Sequence, residues 1–141
     1  MTYDTSAPRA LALSPDESVL YVAETDNAPM GVRELRAYPI LADGTLGTYT
    51  VLHVFGRDHH GEHRGIEGMC VDGEGNIVAC SGWRKCGPGP LVCVYSPSGA
   101  VLESHRLPSD RPMSCAFGDA DLYATTEGGE LLRARDCGRL G

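Results

Sequence analysis

Three times along the chain an apolar stretch, a short polar turn and a second apolar stretch follow one another. The first instance is Leu11-Ala12-Leu13, the turn Ser14-Pro15-Asp16-Glu17-Ser18, then Val19-Leu20-Tyr21-Val22-Ala23. The second is Gly68-Met69-Cys70-Val71, Asp72-Gly73-Glu74-Gly75, then Asn76-Ile77-Val78-Ala79. The third is Cys115-Ala116-Phe117, Gly118-Asp119-Ala120-Asp121, then Leu122-Tyr123-Ala124. Aligned on Ser14, Asp72 and Gly118, the copies lie 58 and 46 residues apart. Runs this short, bounded by Gly, Pro, Asp and Ser, are strands of hairpins rather than helices. A repeat of this length that opens with a hairpin marks a β-propeller blade.

The rest of each repeat supplies outer strands. Glu34–Ile40 and Thr48–Phe55 complete a four-stranded first unit, with turn chemistry at Ala42–Gly47 between them. Leu91–Tyr95 and Val101–Leu107 complete the second, after a Gly/Pro-rich loop at Ser81–Pro90. The third has only one more strand, Glu130–Arg135, and no helix is predicted anywhere. The expected architecture is therefore all-β: about three four-stranded blades of an incomplete propeller, at approximately residues 7–58, 64–110 and 111–137. Propellers close with four to eight blades. Three blades leave an apolar flank at each end of the stack, as in an uncapped repeat array.

Composition narrows the partners. Twelve Lys and Arg against nineteen Asp and Glu give a formal charge of −7, with no basic run. That excludes the basic footprint of nucleic-acid binding and of docking to an anionic membrane. No segment has the roughly 18 consecutive apolar residues of a membrane span. The N-terminal residues carry no signal-peptide pattern, so a cytoplasmic location is the default expectation. Six cysteines show no C-x-x-C spacing, which argues against a zinc knuckle. Buried reduced thiols are expected, with one disulfide among Cys80, Cys86 and Cys93 left open.

Several motifs carry a family resemblance. Pro8–Asp16 resembles a "PNGLALSPD" blade start, and Leu20–Thr25 resembles the "LYVADT" strand after it. Ile66–Asp72 resembles "PDGMCVD", and Pro112–Gly118 resembles "PTNCAFGG". In this order they resemble the C-terminal half of the regucalcin/gluconolactonase (senescence marker protein type) family, over roughly residues 7–135. The resemblance implies a six-bladed propeller that holds one divalent metal in its channel and hydrolyses sugar lactones. The metal would be Ca²⁺ or Zn²⁺, with Mg²⁺ or Mn²⁺ as further candidates. It would polarise the lactone carbonyl and activate a water.

Carried over residue by residue, the family's metal-ligating Asp of "PDGM" falls on Glu67. The family's Asn of "PNG" falls on Arg9, which offers no lone pair to a cation. The first-blade Glu has no counterpart. Glu67 is thus the one expected metal ligand and the expected catalytic carboxylate. The substrate-contact candidates are His63 or Arg64, leaning over the channel mouth, and Trp83 as a sugar-stacking platform. The stretch Asp58-His59-His60-Gly61-Glu62-His63-Arg64 is the densest set of ligand types in the chain. It lacks the i, i+4 spacing of a helical zinc site and is expected to be a solvated loop. Glu24, Asp26 and Asn27 follow an inner hairpin and are candidates for the same mouth. The missing half-site would come from further N-terminal blades of a longer or untruncated protein, or from a second copy pairing as 3 + 3 blades. The competing class is a non-catalytic propeller fragment that binds Ca²⁺ or a protein.

Overall fold

The computed structural model describes residues 4–141. Strands β1 (Pro8–Leu13), β2 (Val19–Thr25), β3 (Arg33–Pro39) and β4 (Thr50–Val54) form one antiparallel sheet in that order. A two-stranded ribbon follows, β5 (Arg57–Asp58) with β6 (Gly61–Glu62). The second sheet is β7 (Ile66–Val71), β8 (Ile77–Ser81), β9 (Leu91–Tyr95) and β10 (Val101–Arg106). The third is β11 (Pro112–Gly118), β12 (Asp121–Thr126) and β13 (Leu131–Ala134). The described residues contain no helix, and so none long and apolar enough to cross a membrane.

The hairpin turns hold the strands by side-chain acceptance. In the first, Asp16 Oδ1 accepts from the Ser14 hydroxyl at 2.7 Å and from the Ser18 hydroxyl at 2.8 Å. These bonds, with the Ser18 N–H, hold the Asp16 carboxyl down at about 2. In the second, Asp72 Oδ1 accepts from the Asn76 N–H at 2.8 Å and the Glu74 N–H at 3.0 Å. The third is a two-residue loop, because Gly118 pairs with Asp121 and Asp119 takes a φ of 53°.

Strand alternation builds two cores against the middle sheet. Ile77, Ala79, Leu91, Cys93 and Tyr95 face the first sheet, where they meet Tyr21, Ala23 and Leu35. The intervening Val78, Cys80, Val92 and Val94 face the third sheet and meet Cys115, Leu122 and Ala124. Both faces of the middle sheet are therefore buried, which is why β8 and β9 read as unbroken apolar runs. β1, in the first sheet, shows the apolar flank expected at an end of the stack. Leu11 is 62% and Leu13 46% exposed, on the face turned away from the second sheet. Part of that face, at Arg36 and Tyr38, is covered by Asp4. Asp4 accepts from Tyr38 Oη at 3.1 Å, and its carbonyl accepts from Arg36 at 2.9 Å.

The six cysteines are all free thiols, so the open alternative of a disulfide among Cys80, Cys86 and Cys93 is not realised. Cys70 and Cys115 bring their Sγ atoms within 3.5 Å between the second and third sheets.

After β13 the chain folds back along the second sheet. The Gly73 N–H donates to the Leu140 carbonyl at 2.7 Å. Arg139 reaches Asp72 Oδ2 at 2.7 Å and also binds Glu103 on β10. Burial pushes the Asp72 carboxyl up, but the bonds from Asn76, Arg139 and Glu74 outweigh it and leave the group below its ordinary value. A depressed carboxylate contributes stability that is complete above its unfolded pKa of about 3.9 and lost as pH falls through the folded value. Arg139→Ala is expected to lower stability by about 2 kcal/mol at pH 7, since it removes hydrogen bonds to charged groups. The loss should shrink in urea titrations below about pH 4. An equal loss at both pH values would show that the ion pair is not its cause.

Candidate functional site

The innermost strands of the three sheets, β1, β7 and β11, lie side by side. Each carries a β-bulge at the same place. The pairing register slips between Pro8 and Ala10, between Ile66 and Gly68, and between Pro112 and Ser114. The bulged residues are therefore Arg9, Glu67 and Met113, spaced 58 and 46 apart like the turns. A bulge leaves one residue out of the ladder and re-aims its side chain, and bulges gather beside functional sites. Gly68, next to the middle bulge, lets β7 and β11 nearly touch. A Cβ there would run into the Met113 carbonyl oxygen and lie 2.6 Å from Ser114 Cα.

Glu67 is the acidic member of the three. Its side chain is 1% exposed, and Arg64 Nε lies 2.9 Å from its Oε1. The two atoms are close but not aligned as a hydrogen bond, so Oε1 is a buried acceptor without a donor. The Arg64 guanidinium also lies 5.3 Å from the Trp83 ring, which Lys85 and Arg111 approach at 5.3 and 5.8 Å. Trp83 is fixed from below. Its Nε1 donates to Cys86 Sγ at 3.0 Å, and that thiol donates to the Glu62 carbonyl at 2.8 Å. Glu62 in turn pairs with Arg33 at 2.6 Å and accepts from the Met30 N–H at 2.9 Å. The Met30 bond, aided by Arg33, holds the Glu62 carboxyl below its usual range. A cavity of about 320 Å³ opens here, lined by Arg33, Arg57, Glu62, Arg64, Trp83 and Lys85 among others. It is a cationic, aromatic-walled recess in a chain of net negative charge.

The structure thus joins Glu67, Arg64 and Trp83 into one connected set. It places the other candidates elsewhere. Arg9 is exposed on the β1 bulge. His63 turns away from Glu67, with Nε2 3.5 Å from Asp58 Oδ2 and its ring against Gly87. Glu24 is fully buried by the N-terminal segment, where it accepts from the Ser6 N–H at 2.7 Å and from the Ala7 N–H and pairs with Arg36 at 3.3 Å. Asp26 accepts from the Ala28 N–H at 2.9 Å, a turn role, while Asn27 lines the recess beside Trp83. Of the stretch 58–64, expected as a solvated loop, His59 and His60 are exposed loop residues, but they cap the β5–β6 ribbon, which is anchored through Glu62. Arg111 was missed by the sequence reading. It belongs to the connection before β11 and sits at a φ of 52°, with no motif to point to it.

Comparison with known proteins places this geometry. Residues 1–128 match the family described as the SMP-30/Gluconolactonase/LRE-like region. A 6-deoxy-6-sulfogluconolactonase of Pseudomonas putida is 34% identical over 122 residues, which cover 86% of this chain and 38% of that protein. Among solved structures, a gluconolactonase of Xanthomonas campestris superposes with a TM-score of 0.64 at 28% identity, covering 94% of this chain and 38% of its own. A calcium-binding protein, regucalcin, of Agrobacterium tumefaciens gives 0.63 at 26% identity, covering 86% and 38%. The chain thus spans well under half the length of each.

Proposed function

This chain belongs to the SMP-30/gluconolactonase/LRE-like family, and from that premise we propose that it forms about three blades of a six-bladed β-propeller that hydrolyses a sugar lactone. The blades would be residues 7–58, 64–110 and 111–137. The three stacked sheets with adjacent inner strands support that reading. Further blades, or a second copy of the chain, would supply the rest of the propeller and of the site.

The family resemblance implies a divalent metal, and this chain's residues do not by themselves fit one. Ca²⁺ takes six to eight oxygens and Zn²⁺ four ligands. Of the three bulges, only Glu67 offers a carboxylate, and a guanidinium stands against it. Arg9 and Met113 bring no oxygen ligand in their side chains. Metal dependence is therefore proposed for the completed site, with Glu67 as one arm of the shell.

The chemistry assigned to this chain is that of its own side chains. Trp83 would stack on the apolar face of the sugar ring. Arg64 would donate to the lactone carbonyl oxygen as negative charge develops on it. Glu67 would take a proton from the attacking water while the water oxygen bonds to the carbonyl carbon. The C–O bond of the ring then breaks, the ring oxygen takes the proton held by Glu67, and the open hydroxy acid leaves with Glu67 again a carboxylate. The observation that carries this reading is the bulge-borne Glu67 carboxylate, buried with an unsatisfied oxygen beside Arg64.

Gluconolactone hydrolysis by the 141-residue chain, with and without Ca²⁺, Zn²⁺, Mg²⁺ or Mn²⁺, tests it. Turnover should fall by about 10²–10⁴-fold in Glu67→Gln, as for loss of a general base. The solution mass, against 15.0 kDa for one chain, separates a lone chain from a pair. A folded sample without turnover would mean that the catalytic half is missing, and that this chain is a fragment or the second reading, a non-catalytic module that binds Ca²⁺ or a protein. Arg9 on the bulge equivalent to Glu67 supports that alternative.

A further inference from the structure

We propose that the β5–β6 ribbon, whose His60 also lines the rim of the Trp83 recess, is a surface site for a transition-metal dication of the Zn²⁺ class, held by Asp58, His59 and His60. One ligand atom from each of these residues lies within 4.8 Å of the other two. His60 Nδ1 is 3.8 Å from Asp58 Oδ1, and the two imidazole rings stack with centroids 3.8 Å apart. His63 brings a third imidazole to the other side of the carboxylate, with Nε2 3.5 Å from Asp58 Oδ2, and that nitrogen is buried without a hydrogen-bond partner. The site does not rest on the lactonase reading.

The hairpin preorganises these donors. Asp58 pairs with Gly61, so His59 and His60 are the two residues of the loop and project together. Asp58 Oδ1 accepts from the His60 N–H at 2.8 Å, and Oδ2 accepts from the Gly87 N–H at 2.7 Å. Each oxygen keeps a lone pair free after these bonds. Glu62, at the end of the ribbon, is fastened to Arg33 and Met30. Two imidazoles with one carboxylate match the borderline dications, with a water completing a tetrahedron, and do not match Ca²⁺.

Cobalt(II) titration of the full chain, followed by its visible d–d band, is the test, with Zn²⁺ and Ca²⁺ as competitors. One equivalent of Co²⁺ should bind, Zn²⁺ should displace it, and Ca²⁺ should not. His60 is 61% exposed and His59 is exposed, so the double variant His59→Ala/His60→Ala should fold. It should weaken Co²⁺ binding by at least about tenfold, as expected when ligands are lost. Glu67→Gln should leave binding unchanged. Absence of the band, a band unaffected by the double variant, displacement by Ca²⁺, or loss of the band in Glu67→Gln would each overturn the proposal.

Discussion

Gly68→Ala is expected to prise the third sheet from the second and to destabilise the chain by about 3 kcal/mol, at the upper end of overpacking costs. The added Cβ would meet backbone on both sides of the approach, at the Met113 carbonyl and at Ser114 Cα. Backbone cannot rotate away as a side chain can. Cys115, buried at this junction, reports the outcome directly. The contact with Cys70 lowers its thiol, but Cys80 and burial outweigh that and raise it well above the ordinary range, so it should resist alkylation in the native chain. In Gly68→Ala it should react faster, as mapped by mass spectrometry of the labelled peptides. Unchanged reactivity and an unchanged melting temperature would mean that β11 accommodates the methyl group.

The second large effect is expected at Glu24. Glu24→Ala should cost about 3–5 kcal/mol, the range for removing one member of a buried ion pair. The carboxylate binds Arg36 and two N–H groups of the N-terminal segment, and it has no exposed surface. Arg36 would keep Glu34 at 2.8 Å, while the Ser6 and Ala7 amides would lose their acceptor. Denaturant unfolding of Glu24→Ala and Glu24→Gln, run beside the lactone assay, separates a structural from a reactive role. A structural Glu24 lowers the unfolding midpoint in both variants. Lost turnover at unchanged stability would return Glu24 to the channel mouth, for which the sequence makes it a candidate.

Glu24 shows why parts of the site are illegible in a sequence. Its position after an inner hairpin resembles that of a site residue. What makes it structural is a contact with Ser6 and Ala7, 18 and 17 residues away, that no local pattern encodes. Arg139 is similar, bound to Asp72 across 67 residues. The sheets were readable because alternation and turn chemistry are local, and the hairpins recur at fixed spacing. Glu67 is singled out by the family resemblance of Ile66–Asp72 rather than by a local pattern, and the bulge that carries it is visible only in the strand pairing. The β5–β6 ribbon was not readable, because two-residue strands carry no periodicity. Arg64 was placed near Glu67 through sequence proximity, whereas Arg111 arrives over Trp83 from another sheet.

The two-faced burial of the middle sheet has a consequence for how the chain comes apart. Each outer sheet shares its core with β8 and β9, and neither shares one with the other. Either outer sheet can open while the remaining pair keeps a complete core. Opening the middle sheet abolishes both cores at once. The middle sheet therefore sets the global unfolding free energy, and the ends supply the lower-energy, partial openings.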